Sequence, residues 1–353
     1  MSKVLMKGNE AVGAAAIKAG CKFFFGYPIT PQNEIPEFMA RELPKNGGVF
    51  LQAESEIAAI NMVYGAAGAG ARVMTSSSSP GIALKQEGIS YIAGAELPCV
   101  VVNMVRGGPG LGGIQPSQSD YYQATRGGGN GDYRHLVYAP ASIQEAVDLV
   151  MEAFDVADYY RNPVLVLGDG MIGQMMEPVE FKEPKKRELP PKDWATTGTK
   201  GQRKPNVVNS LYIDPKPLEE HNLKLEEKYA RMKENEVRYE DYNLEDAEVV
   251  IVAYGTTSRI AKNAIAKCAE EGLKVGLIRP ITLWPFPDVA FEKISEKTKA
   301  ILTVEMSTGQ MIDDVKIAIN GRKPVYFYGR TGGMIPTPNA IVDEIKKIVG
   351  GDK

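Results

Sequence analysis

Three cysteines in 353 residues, at Cys21, Cys99 and Cys268, are too few and too scattered for a disulfide framework. No Cys-x-x-Cys pair offers a zinc or iron–sulfur site. Histidine is scarcer still: His135 and His221 are the only two, neither has a partner at ligand spacing, and neither is assigned a role. No charge dominates. Lys and Arg number 41 against 44 Asp and Glu, a net charge of −3, which leaves no basic footprint for nucleic acid or an anionic membrane. No apolar run approaches the roughly 18 residues of a membrane span. The stretch Met1–Gly8 lacks the apolar core of a signal peptide, so a cytoplasmic location is the expectation. There is no Gly-x-x-x-x-Gly-Lys-[Ser/Thr] loop, and Gly108-Pro-Gly-Leu-Gly112 lacks the third glycine and the following helix of a dinucleotide loop.

Hydrophobic content of 44% and charged content of 24% are ordinary for a soluble globular chain, and the length suggests two or three domains. Helical and strand patterns alternate through the first half. Helices are expected over 9–19, 31–43, 55–70 and 142–159, and strands over 22–25, 49–51, 72–74, 97–104 and 163–167. Val49–Leu51 reads as a short buried strand and 55–70 as a helix buried on most sides. Thr30 and Pro31 read as the N-cap and first residue of the second helix. Strands separated by helices imply an α/β fold with a parallel sheet covered on both faces. From about 181 to 245 the chain turns Pro- and Lys-rich, with clusters at Glu183–Arg187 and Leu189–Lys192, then a charged helical piece over 218–240. This reads as a linker and surface insertion, either a solvated connector or, given Trp194, Tyr212 and Tyr229, a segment lying on a partner. A second, smaller α/β unit occupies 246–353, so that the expected domains are 1–180, the insertion 181–245, and 246–353.

Four signals fall together at strand carboxyl ends, where ligands bind in open α/β sheets. Glu56 sits in the first turn of a helix, where a carboxylate is favoured by the helix dipole whether or not it does chemistry. Thr30 follows the strand 22–25. In the loop Thr75-Ser-Ser-Ser-Ser-Pro-Gly81, which leads into a helix at Pro80, Ser76 to Ser79 read as an anion cradle, and Thr75 and Ser79 are candidate cofactor contacts. Arg106 stands at the mouth of a glycine-rich loop, where it can grip a carboxylate or phosphate with two parallel hydrogen bonds or form a salt bridge with Glu54. Leu167-Gly-Asp-Gly170 reads as a tight turn after a strand.

With these residues in place, the chain resembles the alpha, pyrimidine-domain subunit of the 2-oxoacid:ferredoxin oxidoreductases. The matching motifs are Gly26-Tyr-Pro-Ile-Thr-Pro31, Glu54-Ser-Glu-Ile-Ala-Ala59, the Thr75–Gly81 loop and Arg106-Gly-Gly-Pro109. The resemblance implies a parallel-sheet, pyrimidine-type thiamine diphosphate domain followed by a transketolase C-terminal-like α/β domain. It implies that the pyrimidine end of thiamine diphosphate rests here, while a beta subunit holds the diphosphate and Mg2+. Iron–sulfur clusters would sit on other subunits, gamma or delta among them, with ferredoxin as electron acceptor. Glu56, rather than Glu54, matches the family's activating glutamate, whose hydrogen bond to a pyrimidine ring nitrogen favours the tautomer that activates the thiazolium carbon. Thr30 and Arg106 match the residues that contact the substrate carboxylate.

The reaction implied is oxidative decarboxylation of a 2-oxoacid with coenzyme A to acyl-coenzyme A, carbon dioxide and reduced ferredoxin. Where many relatives carry Ser-Thr after Arg-Gly-Gly-Pro, this chain has Gly110-Leu111, which favours an apolar substrate tail. The expected substrate is therefore a branched-chain 2-oxoacid such as 3-methyl-2-oxobutanoate, with 2-oxoglutarate the alternative. A subunit that only scaffolds such a complex is a further alternative.

Overall fold

The computed structural model describes residues 3–182 and 187–350; the first four residues of the Glu183–Arg187 cluster lie outside the described residues. In chain order the elements are β1 (Val4–Lys7), α1 (Gly8–Lys18), β2 (Phe23–Gly26), α2 (Glu34–Glu42), β3 (Val49–Gln52), α3 (Glu56–Gly68), β4 (Val73–Ser77) and α4 (Ser79–Gly94). They continue with β5 (Cys99–Val105), α5 (Tyr121–Arg126), β6 (Leu136–Tyr138), α6 (Ile143–Tyr160), β7 (Pro163–Asp169), α7 (Gly170–Gln174), β8 (Met176–Val179) and α8 (Pro215–Asn235). The last third holds β9 (Tyr239–Tyr242), β10 (Val249–Val252), α9 (Gly255–Glu270), β11 (Val275–Pro280), β12 (Thr282–Trp284), β13 (Ala300–Glu305), α10 (Met311–Ile319), β14 (Val325–Gly329) and α11 (Pro338–Gly350).

The larger sheet has seven strands in the order β12-β6-β7-β5-β4-β2-β3, all parallel except the added β12. Its central strands β5 and β7 are buried at every position, as strands covered on both faces must be, and so consist of near-continuous apolar residues. The smaller sheet runs β14-β13-β10-β11-β9, with β9 antiparallel. The chain is thus α/β throughout. No described helix is long and apolar enough to cross a membrane.

Several expectations need correction. β3 is not a buried strand: it is the edge of the large sheet, and Val49 and Leu51 are half exposed. α3 buries Glu56, Ala59, Ile60, Val63 and Ala67 on one face but leaves Ile57 exposed on the other. Thr30 is not a helix cap. α2 begins at Glu34, beyond a turn in which Gln32 N–H donates to the Ile29 carbonyl and Ile35 N–H to that of Gln32. The insertion packs on its own chain rather than standing free: Tyr229 of α8 is fully buried edge-on to Trp284, and Arg161 lies over Trp194. The short strand β12, from the carboxy-terminal third, completes the large sheet by pairing with β6.

One buried side chain makes several of the hydrogen bonds that join the two sheets. Gln118 donates from its backbone to the Met306 carbonyl at 2.8 Å and from Nε2 to the Tyr254 carbonyl at 2.9 Å. Its Oε1 accepts from Met306 N–H at 2.9 Å and from the Thr257 hydroxyl. Every polar group of this buried amide is used, which fixes the smaller unit against the strand ends of the larger one.

Candidate active site

The first turn of α4 is where the marked residues meet. Glu56 opens α3 directly after Ser55, whose hydroxyl caps the helix by accepting from Ala58 N–H at 3.2 Å. Glu56 is 7% exposed, and no described residue donates a hydrogen bond to its carboxylate. The carboxylate lies against Gly81: a Cβ built there would fall 2.7 Å from Glu56 Oε1 and 2.0 Å from Ser77 Oγ. Only glycine lets the backbone of α4 come this near. The Ser77 hydroxyl is buried with no partner among the described residues. A buried hydroxyl with no partner among the described residues, beside a largely buried carboxylate that none of them donates to, is what a ligand site looks like before the ligand is counted.

Ser79 joins this corner to Arg106. Its hydroxyl donates to the Arg106 carbonyl at 3.2 Å and accepts from Arg106 N–H at 3.0 Å, while Ser79 N–H donates to Asn103 Oδ1. The Asn103 amide in turn donates to Asp120, whose carboxyl burial pushes up from the ordinary carboxylate range. Arg106 reaches across to Thr30, donating from Nη1 to the Thr30 carbonyl at 2.9 Å, and from Nη2 to the Leu111 carbonyl at 3.0 Å. It therefore binds backbone rather than Glu54, which is exposed, and its buried Nε has no partner among the described residues. Thr30, Ser79 and Arg106 are brought together directly, and Glu56 joins them through Gly81. Thr75 is set apart. It is fully buried, and its hydroxyl accepts from Lys85 Nζ at 2.7 Å, facing into the protein rather than the crevice.

The glycine-rich loop folds back on itself: Gly113 N–H donates to the Gly107 carbonyl at 2.9 Å, and Gly112, at φ +55°, lies where a Cβ would meet that carbonyl at 1.8 Å. Leu111 at its tip is 85% exposed. In this chain its side chain points to solvent, so an apolar pocket around it needs a second surface. A cleft of about 520 Å³ opens beside Thr30, lined also by Gln115, Pro116, Gly170, Met171 and Ile335. Glu56 and Arg106 are not in its lining. Asp169 is the N-cap of α7, accepting from Met171 and Ile172 N–H, so the Gly-Asp-Gly segment is a strand-to-helix turn with its carboxylate occupied.

Three parts of this arrangement escape a reading of the sequence: Gly81 as the seat of Glu56, the unpartnered Ser77, and Lys85 beneath them. The one available signal was a lone lysine inside the otherwise small and apolar start of α4.

A family model for the thiamine diphosphate-binding region of pyruvate flavodoxin/ferredoxin oxidoreductases matches residues 14–245, and one for pyruvate:ferredoxin oxidoreductase core domain II matches 247–341. The chain belongs to this oxidoreductase family. Among its relatives, the ketoisovalerate oxidoreductase subunit VorB of Methanothermobacter marburgensis is 52% identical over 350 residues, 99% of each chain. The 2-oxoglutarate synthase subunit KorA of Methanocaldococcus jannaschii is 38% identical over 376 aligned positions, 99% of this chain and 100% of the other. Among solved structures, the 2-oxoglutarate:ferredoxin oxidoreductase from Magnetococcus marinus, with 2-oxoglutarate, coenzyme A and succinyl-CoA bound, superposes with a TM-score of 0.87 at 29% identity. That match covers 99% of this chain and 65% of the other, so this oxidoreductase chain spans about two thirds of the length of that one. A split-gene transketolase, at 14% identity and a TM-score of 0.58 over 99% of both chains, shares the fold.

Proposed function

We propose that this chain is the pyrimidine-binding subunit of a 2-oxoacid:ferredoxin oxidoreductase that decarboxylates 3-methyl-2-oxobutanoate with coenzyme A. The observation that carries the reading is the Glu56 carboxylate, largely buried at the start of α3 with no described residue donating to it. The residues present fit the pyrimidine half of thiamine diphosphate. Glu56 offers an acceptor for a ring N–H, the Ser77 hydroxyl offers a second polar contact, and Gly81 leaves room beside both. Thiamine diphosphate, when bound, supplies the electron sink that lets the 2-oxoacid lose carbon dioxide.

This chain's own side chains do the rest of the work assigned to it. Glu56 holds a proton position at Oε against the ring nitrogen, a general acid–base role worth typically about 10²–10⁴-fold. The Thr30 hydroxyl and the Arg106 guanidinium, linked through the Thr30 carbonyl, hold the substrate carboxylate. Ser79 locks the Arg106 backbone so that the guanidinium is aimed before substrate arrives. Thr75 acts from below, by anchoring Lys85, rather than by touching the cofactor.

The diphosphate, Mg2+, iron–sulfur clusters and ferredoxin contact fall to partner subunits on this reading. Two features support that division. Asp169 is committed to capping α7, and Val49, Leu51 and Ile57 leave an apolar edge exposed beside Glu56, where a beta subunit would close the crevice. The branched-chain substrate rests on the higher identity to the ketoisovalerate subunit and on Leu111, which that second surface would enclose. The test is kcat/KM for 3-methyl-2-oxobutanoate, 2-oxoglutarate and pyruvate on the assembled complex. The branched acid should lead; a clear preference for 2-oxoglutarate would replace the substrate assignment with that of the synthase relatives.

A further inference from the structure

In β5 a single amide interrupts an apolar run. All seven residues of Cys99-Val-Val-Val-Asn-Met-Val105 are buried, and Asn103 is 1% exposed among them. An amide in a sheet core is unfavourable unless its hydrogen bonds are made, and valine would fill the place without that demand. Both ends of this amide are used. Oδ1 accepts from Ser79 N–H at 3.1 Å, and Nδ2 donates to Asp120 Oδ2 at 2.9 Å. A carboxylate only accepts, so Asp120 dictates which way the amide faces. Asp120 stands at the N-cap position of α5, where aspartate ordinarily serves its own helix, yet its side chain makes no capping bond. It turns instead to Asn103 and to the Ser79 side chain. Ser79 Oγ accepts from Arg106 N–H at 3.0 Å, so the chain of contacts from Asp120 ends on the backbone of Arg106.

We propose that Asn103 and Asp120 are positioning residues for Arg106: the carboxylate orients the amide, the amide holds the first residue of α4, and Ser79 holds the Arg106 backbone at the crevice. This rests on the role of Arg106 given above. Capping of α4 does not account for the pair. The Ser79 N–H needs only an acceptor, and a buried acid behind that acceptor adds nothing to a cap. Arg106 does need the arrangement. Its Nη1 and Nη2 are tied to the Thr30 and Leu111 carbonyls, while its buried Nε has no partner among the described residues. Nε is therefore a donor left for a ligand, and its direction follows from where the backbone is held. Asp120 is itself placed from the smaller sheet: Ser117 and Gln118 donate to the Met306 carbonyl, and the Ser119 carbonyl accepts from Gln310 Nε2 at 2.7 Å. The grip on the substrate carboxylate is thus set by a point fixed to the second unit.

The test is a swap in the assembled enzyme. Asn103→Asp keeps the acceptor for Ser79 but sets two carboxylates face to face. Adding Asp120→Asn restores a donor between them, with the amide now on the other side. KM for the 2-oxoacid, KM for coenzyme A, kcat and the melting temperature are read for each. Asn103→Asp should raise KM for the 2-oxoacid about fivefold and leave KM for coenzyme A unmoved. The swapped pair should bring KM for the 2-oxoacid back to within about twofold of wild type. In an Arg106→Ala background, Asn103→Asp should lower kcat/KM no further, because the group it positions is gone. If Asn103→Asp does not assemble, Asp120→Ala, which removes the orienting carboxylate and no capping bond, carries the same comparison. Additive losses in the Arg106→Ala background would overturn the proposal. So would a fall in kcat and melting temperature with both KM values unmoved, which would leave Asn103 as a cap for α4, and so would a swapped pair that fails to assemble or to recover. Wild-type kcat/KM in Arg106→Ala by itself would refute the role of Arg106, a result separate from all of these.

Discussion

Two glutamates in this molecule are buried where a parallel strand gives way to a helix, and they have opposite characters. Glu305 ends β13 and turns back to cap α10. It accepts from the Ser307 hydroxyl at 2.9 Å and from the backbone N–H groups of Gln310, Met311 and Ile312 at 3.1, 3.1 and 3.0 Å. Glu56 opens α3 with the cap supplied by Ser55 and with no described residue donating to its carboxylate. Residue type, burial and position in the fold are alike. What separates them is satisfaction: one carboxylate is consumed by the helix it serves, and the other is held in readiness. The general lesson is that a buried acid is told to be functional by the hydrogen bonds it lacks, and the charge that faces it sharpens the point. Glu305 has only neutral donors around it, whereas Glu56 is overlooked by a buried lysine.

The contrast can be broken from either side. The largest effect should come from Gly81→Ala. A methyl group 2.7 Å from Glu56 Oε1 and 2.0 Å from Ser77 Oγ must displace one of them, and a shift of about 1 Å at such a group costs on the order of 10²-fold in turnover. Steady-state kinetics on the assembled enzyme would show it as lost kcat with modest change in melting temperature; unchanged kcat would mean that Glu56 does not need its seat. Arg106→Ala should come next, lowering kcat/KM for the 2-oxoacid by about 10–100-fold, from about 1.5–3 kcal/mol of lost charge-assisted bonding. Saturation curves with Arg106→Lys alongside would separate charge from the planar double contact, which Lys cannot copy.

Glu305→Gln should show the other character. An amide placed against backbone N–H groups leaves donors facing donors, and about 1–3 kcal/mol of stability should go, seen as a lower thermal midpoint with turnover near wild type. Lost turnover without lost stability would erase the distinction drawn here. The smallest effect is on stability and depends on pH. The folded-state pKa of Lys85 is depressed to about 7 from 10.5, so its burial penalty is absent above the unfolded value, grows as pH falls toward 7, and is constant below. Lys85→Met should therefore raise the thermal midpoint of the cofactor-free complex below pH 7, with the gain shrinking toward pH 10. Destabilisation at every pH would show that the lysine serves packing after all.

Much of this was legible in the chain. β5 and β7 could be read as parallel strands because burial on both faces demands continuous apolar residues, and Glu56, Thr30, Ser79 and Arg106 could be placed at strand ends because helix and turn signals follow each strand. What could not be read depends on contacts far apart in sequence. β12 joins the first sheet from the last third of the chain, Val4 pairs with Val179, and Tyr229 of a strongly charged helix lies fully buried against Trp284. Local pattern carries no information on such pairings. Val49 and Leu51 misled for a related reason: an apolar run looks the same in a central strand and at an edge that another surface would cover. Thr75 looked like a ligand contact because its loop did, yet a neighbouring lysine takes its hydroxyl.

The most direct test compares Glu56→Gln and Glu305→Gln in the same assembled enzyme, measuring carbon dioxide release from 3-methyl-2-oxobutanoate together with the melting temperature. The account predicts that Glu56→Gln assembles and melts like wild type but has lost decarboxylation, while Glu305→Gln melts lower and still turns over. Near-normal decarboxylation by Glu56→Gln would contradict it and leave this chain as a scaffold for chemistry done elsewhere.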